Sequence, residues 1–458
     1  MGILKDKNAS SILLEKLKDK DKEVRIEILK NLRKLEDKSV LQKLKNYFKK
    51  CKDLKEKCYI AGTLASLGNC EGLEFLLRIL KEKKGPILEA LENLGEFKTR
   101  KKIGKKIIPF LKDPRTEIRR TAAETLSNLE YKKAVYPIAL ALKEEKAFMN
   151  KIVFLRTLQR LKNKNVLDIL FEVGEKEKNP ILLKEIIITL GKIGSKRSVS
   201  FIEKFITYKN SKVQEACIVA LGELEKNSGI PALIRIFKNE KFPNYLRGKA
   251  IDIARSKATG KLKEKAVYTL LKDKRWSVIW KDKEAPILIK FTEDKNEIVR
   301  ARAYSGLARI NIEKYWEVIK NALKDKSKIV RREIIIRIDD FQYKPGAELL
   351  KEIFPQEKEK EIKEDILHLF YDLGDKEGLR LGLNDKDLYI QIYASSGLAL
   401  LGETIGFDIV IKGLESDDEE IQDIALEAME NMKDKRAIPY LKKLLKRIKD
   451  KDCLLYTS

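Results

Sequence analysis

A fragment of the form Asp-x-x-x-x-(Val or Ile)-Arg recurs along this 458-residue chain, at Asp19–Arg25, Asp113–Arg119, Asp294–Arg300 and Asp325–Arg331. The copies are spaced by multiples of about 31 residues, and weaker copies fill the gaps. Aligning the leucines that follow places equivalent positions at 24, 56, 83, 118, 150, 182, 213, 246, 278, 299, 330, 362, 390 and 421. A fifteenth unit is expected to open at Lys435. Such a period overrides the usual expectation of one domain per about 150 residues. A unit this short cannot bury its own apolar face, whereas stacked units share one continuous core.

Each unit reads as two helices. Counting the Val or Ile as zero, positions +4, +5, +8 and +11 are mostly apolar: Ala122, Ala123, Leu126 and Leu129; Cys217, Ile218, Leu221 and Leu224; Ala303, Tyr304, Leu307 and Ile310. This is helical spacing, with small residues where neighbouring helices must approach. A second amphipathic run follows, often with an early proline, as in IIPFLK, VYPIALAL, IPALIRIF and APILIKF. Proline suits a first helical turn because its missing N–H would have no partner there. With only 23 glycines and 11 prolines, the chain has few unusual turns to make. The fold class expected is all-α, an α-solenoid of about 14 two-helix repeats forming one continuous domain over residues 1–452.

The Asp-x-x-x-x-(Val/Ile)-Arg and Ala-x-x-x-Leu-x-x-Leu pattern resembles the HEAT-like repeat family in its short, phycobilisome-lyase-type form, over residues 9–449. The resemblance implies that Asp19/Arg25, Asp113/Arg119, Asp294/Arg300 and Asp325/Arg331 are ladder residues bonding along the stack, with each arginine's side chain committed to its aspartate. The alternative is that these arginines grip phosphate. Gln214, Gln391 and Gln422 replace the arginine in other units, where the ladder must be weaker or made differently.

The formal net charge of +26 is uneven. Residues 1–350 hold 80 Lys and Arg against 47 Asp and Glu, and residues 351–458 hold 17 against 24. A basic body (1–350) thus joins an acidic part (351–452). Such asymmetry suits an anionic partner. The densest cluster, Lys98, Arg100, Lys101, Lys102, Lys105 and Lys106, is the candidate patch for one. Against this, lysine outnumbers arginine 74 to 23, while nucleic-acid grooves favour arginine's two-point fork. The lysine excess is equally explained by codon bias.

Other chemistry finds little support. No run approaches 18 apolar residues, so no membrane span is expected, and the first residues lack a signal core. Cys51, Cys58, Cys70 and Cys217 have neither zinc-site nor paired spacing and read as buried, reduced thiols of a cytoplasmic protein. The single histidine, His368, reads as structural; without His-Glu pairs, the activity of the HEAT-like deoxyhypusine hydroxylases is excluded. No metal or cofactor is expected. One step of the period, from 278 to 299, is about ten residues short. It holds Trp276 and Trp280, which at i, i+4 would share a helix face, with Asp282 beside them. These ingredients, though not an aligned motif, are similar to those of the HEAT-like alkylpurine DNA glycosylases. The simpler reading is that the tryptophans fill the gap left by a short helix.

The expected function is a non-enzymatic scaffold for protein partners, followed by sequence-nonspecific nucleic-acid binding, with a glycosylase third. The last six residues, Cys453 to Ser458, match one reading frame of a common sequencing-library transposon end. They are expected to be an adapter artefact, with the natural chain continuing past Asp452.

Overall fold

The computed structural model describes residues 9–97, 103–273 and 275–447; the expected artefact lies outside these. Among the described residues there are 28 α-helices, short 3-10 turns and no strand. The fold is an α-solenoid. The chain forms two compact units, residues 1–266 and 267–458.

In the first unit, two-helix repeats follow one another. The helix Thr116–Asn128 is followed by Val135–Glu144, Phe148–Leu161 by Leu167–Lys176, and Ser211–Glu223 by Ile230–Lys238. First helices pack on the first helices of the next repeat. Side-chain caps start many of them: Asn179 accepts from the N–H groups of Ile181 and Leu182, and Asn210 from those of Lys212 and Val213. Each such cap is worth about 1 kcal/mol. The +4, +5, +8 and +11 positions are buried: Ala122, Ala123, Leu126 and Leu129, and likewise Cys217, Ile218, Leu221 and Leu224. Close approach is enforced at Gly191, where an added Cβ would sit 2.7 Å from the Cα of Ala220 in the next first helix.

A threonine seam sets the register between repeats. Thr63, Thr125 and Thr157 donate to the carbonyls of Leu29, Leu91 and Ala123 in the preceding repeats. This corrects the third repeat, whose zero position is 86 and not 83. Gly85 and Pro86 delay its first helix to Ile87–Leu94.

The second unit repeats the plan with Glu297–Asn311, Lys328–Asp340, Lys360–Asp372, Leu388–Leu400 and Glu419–Met432 as first helices. Ala303, Tyr304 and Leu307 are buried in its core, while Ile310 is half-buried. Two expectations are corrected here. Lys435–Arg447 does not open a fifteenth repeat; a 3-10 turn and the helix Ile438–Arg447 supply the second helix of the fourteenth. The short repeat around 278 has no first helix at all. Residues 275–281 contain no helix, and the next helix, Ala285–Phe291, is the second of its pair. Trp276 and Trp280 therefore do not share a helix face.

Candidate functional site

The recurring arginines lie one residue past the zero position, at the start of each first helix. Arg119 donates from Nη1 to the backbone carbonyls of Asp113 and Pro114, both at 2.9 Å. Its Nε and Nη2 make a two-point contact of 2.8 Å each with Glu145, at the end of the second helix. Arg25 does the same with the carbonyls of Asp19 and Lys20 and the carboxylate of Glu56. Arg300 holds the carbonyl of Asp294 and the carboxylate of Asp325; Arg331 holds the carbonyl of Asp325 and the carboxylate of Glu357. Each arginine is thus shared between its own turn and an acid 25 to 31 residues further on.

This differs from a side-chain pair within one repeat. The aspartate of the fragment offers its arginine a carbonyl, and its carboxylate works elsewhere. Asp19 and Asp113 accept from the N–H groups of Asp21 and Arg115, closing their own turns. Asp325 does both jobs, taking Arg300 on its carboxylate and Arg331 on its carbonyl. Lysine takes the arginine's place in Lys151–Glu177 at 3.2 Å and Lys363–Asp385 at 2.5 Å. Gln391 keeps only the inner half of the arrangement, donating to the Asp385 carbonyl at 2.6 Å, and Gln422 donates likewise to the Ser416 carbonyl.

The acids respond as paired carboxylates do. Hydrogen bonds from Arg119, aided by the Ala147 N–H and Asn150, overcome burial and hold Glu145 down at about 2. Arg25 likewise holds Glu56 below its ordinary value against burial. Burial alone would raise Asp325, but hydrogen bonds from Arg300 and the Ser327 N–H keep it low. These guanidiniums spend their forks inside the stack, which leaves them poorly placed to grip phosphate.

Of the basic cluster, Lys98, Arg100, Lys101 and Lys102 lie outside the described residues; Lys105 and Lys106 are exposed. Elsewhere, many lysines bridge to an acid about one repeat away, as in Lys143–Glu172, Lys204–Glu175 and Lys257–Glu223, or about two, as in Lys164–Glu225, at 2.6 to 2.8 Å. Part of the lysine excess is therefore matched locally, which counting charges along the sequence could not reveal.

Where the first helix is missing there is a cavity of about 500 Å³, with Trp276 and Trp280 in its wall. It also includes Ile298, Ala301, Arg302, Ser305, Gly306 and Arg309 from the helix Glu297–Asn311, and Ile329 and Glu333 from the next first helix. Asp282 is not part of it. Lys314 and Tyr315 bind its carboxylate at 2.6 to 2.9 Å and keep it ionised below the ordinary range. The tryptophans and the aspartate thus do not form one site.

Cys58 and Cys217 are buried, and burial pushes both thiols up to about 12. Cys51 is half-buried and Cys70 exposed, so burial does not extend to all four. His368 is exposed, with Nδ1 3.3 Å from Asp372. Ligand atoms of Asp339, His368 and Asp372 lie within 4.8 Å of one another and could reach one cation. No helix among the described residues is long and apolar enough to cross a membrane.

Comparison with known families agrees with this architecture. A HEAT-repeat family profile matches residues 167–255 and 285–369, and the PBS lyase HEAT-like repeat matches residues 421–447. The interval between the first two matches holds the repeat that lacks its first helix. The chain is a HEAT-like repeat protein. Similar solved structures include the CpcE–CpcF complex of phycocyanin lyase from Nostoc sp. PCC7120, at 17% identity, over 54% of this chain and 93% of that one, with a TM-score of 0.30. A structure of Kap95p with RanGDP matches at 12% identity, over 95% of this chain and 68% of that one, with a TM-score of 0.37. One from the cadherin and beta-catenin interaction matches at 13% identity, over 92% and 100%, with a TM-score of 0.33. No curated protein matches the sequence.

Proposed function

We propose that this protein is a non-enzymatic scaffold that binds a protein partner along the first-helix face of its repeats. One observation carries this reading. The residue just before the zero position is a large, exposed apolar side chain in three repeats of the first unit: Met149 at 57%, Ile181 at 54% and Tyr245 at 51% exposure. Phe148, beside Met149, is also exposed. The core positions of the same helices are filled, so these side chains do not serve the fold. Apolar and aromatic side chains recurring on one surface suit protein contact better than phosphate contact.

A second reading, nonspecific nucleic-acid binding, is favoured by the basic balance of residues 1–350 and by exposed Lys105 and Lys106. Affinity capture with the full chain, with and without nuclease, separates the two. A protein partner retained after nuclease, and lost when Met149 and Ile181 are both changed to Asp, supports the scaffold. Loss of all captured material on nuclease treatment overturns it.

A further inference from the structure

The stripe Arg302, Ser305, Gly306 and Arg309 falls at i, i+3, i+4 and i+7 of one helix, so all four point the same way. They form one wall of the cavity left by the missing helix. Gly306 lets an indole lie against the helix: a Cβ there would come within 3.0 Å of the Trp280 ring. Arg302 is half-buried and donates to the backbone carbonyls of Asp273 and Trp276, pinning the segment that replaces the helix.

Charge matching separates Arg302 and Arg309 from the ladder arginines and from Arg275, which also lines the cavity and pairs with Asp273 at 3.0 Å. Arg25, Arg119, Arg300 and Arg331 each meet a carboxylate at two points. Among the described residues, neither Arg302 nor Arg309 forms an ion pair, although both line the cavity. Burial lowers the Arg302 guanidinium from its ordinary value, and the Arg309 charge lowers it further, with Asp273 and Glu333 acting against them. An anion entering the cavity would offset the burial of Arg302 and find in exposed Arg309 a two-point partner.

We infer that this cavity binds a short acidic segment of a partner protein, with an apolar side chain between the indoles and a neighbouring carboxylate on Arg309. This rests on the scaffold reading and names its partner chemistry. The size is that of an ordinary ligand cleft, about 300–1,000 Å³, which suits a few side chains and not a folded domain. Val278, Ile298, Ala301 and Ile329 give apolar walls that suit an aliphatic or aromatic side chain. Glu333 in the wall disfavours a dianionic phosphate and tolerates a single carboxylate balanced by two arginines.

The test measures fluorescence anisotropy of a labelled, capped peptide, Gly-Asp-Leu-Phe-Glu-Gly, titrated with the full chain. Saturable binding is expected. The peptide with Asn and Gln in place of its acids should bind at least about tenfold more weakly, as should Arg309→Gln with the original peptide. Arg309 is exposed and makes no ion pair among the described residues, so its loss is expected to leave the fold intact. Arg332→Gln is the control: it removes one charge of the same type outside the cavity, where Arg332 faces Asp365. Absence of saturable binding, equal binding of the amide peptide, or equal weakening by both arginine variants would overturn the inference. So would displacement of the peptide by a single-stranded RNA 12-mer at lower concentration than by unlabelled peptide. The scaffold reading has a separate fate. A nuclease-resistant partner that survives Arg309→Gln would leave it standing while this inference falls.

Discussion

Replacing Glu145 by Gln tests the inter-repeat ladder directly. Glu145 is buried, takes both ends of the Arg119 fork, and accepts N–H groups from Lys146, Ala147 and Asn150. Its carboxyl falls from an ordinary 4.5 to about 2. At about 1.4 kcal/mol per unit, that difference corresponds to about 3 kcal/mol of folded-state preference for the charged form. Because the folded value is the lower one, this contribution is complete above the unfolded carboxyl's range, near neutral pH. It is lost as pH falls from about 5 towards about 2. Glu145→Gln should therefore destabilise the repeat by about 2–3 kcal/mol at pH 7, with the gap to the unaltered protein closing below pH 3. Repeats couple chiefly to their neighbours, so global unfolding need not be two-state. The assay is hydrogen exchange of peptides spanning 116–161 at pH 7, with urea melts at stepped pH down to 2.5. A gap below about 0.5 kcal/mol at pH 7, or one that persists unchanged at pH 2.5, would refute the ladder's energetic role.

Two further outcomes are expected. Leu126, Leu221 and Leu307 are at most 1% exposed, so each change to Ala should cost about 2–5 kcal/mol, read as faster local exchange in its own repeat; no change in any of the three would contradict the packing described. If the basic body binds nucleic acid, changing Lys101, Lys102, Lys105 and Lys106 to Glu should weaken all sequences alike. It should also flatten the salt dependence by about 0.7–0.9 in log–log slope per lost phosphate contact, whereas no binding at low salt would end that reading.

Several features were legible before any coordinates. The period of about 31, the two-helix unit and the buried positions around Leu126, Leu221 and Leu307 all follow from patterns within one repeat. A local pattern survives folding because helical spacing alone decides which side chains share a face. Register was legible only where the pattern was strong. Gly85 and Pro86 moved the third repeat's start by three residues because backbone restraints outweighed a weak leucine match. Trp276 and Trp280 misled for a similar reason: four-residue spacing is necessary for a shared helix face but does not create a helix.

The sequence by itself determined the repeat, its helices and its core, since each depends on neighbours a few residues away. Only the tertiary structure decided what each polar group meets. The fragment's residues were visible, but their pairing was not: Arg119, Arg300 and Arg331 take Glu145, Asp325 and Glu357, 26, 25 and 26 residues on at the acidic position of the next repeat, and Arg25 takes Glu56, 31 residues on. Likewise, Arg302 and Arg309 read in sequence as two more charges on a helix. The helix absent opposite them leaves indoles and guanidiniums around one cavity, with no acid among the described residues ion-paired to either arginine. Charge pairing depends on which surfaces stacking brings together, and stacking is a property of the assembled repeats and not of any one of them.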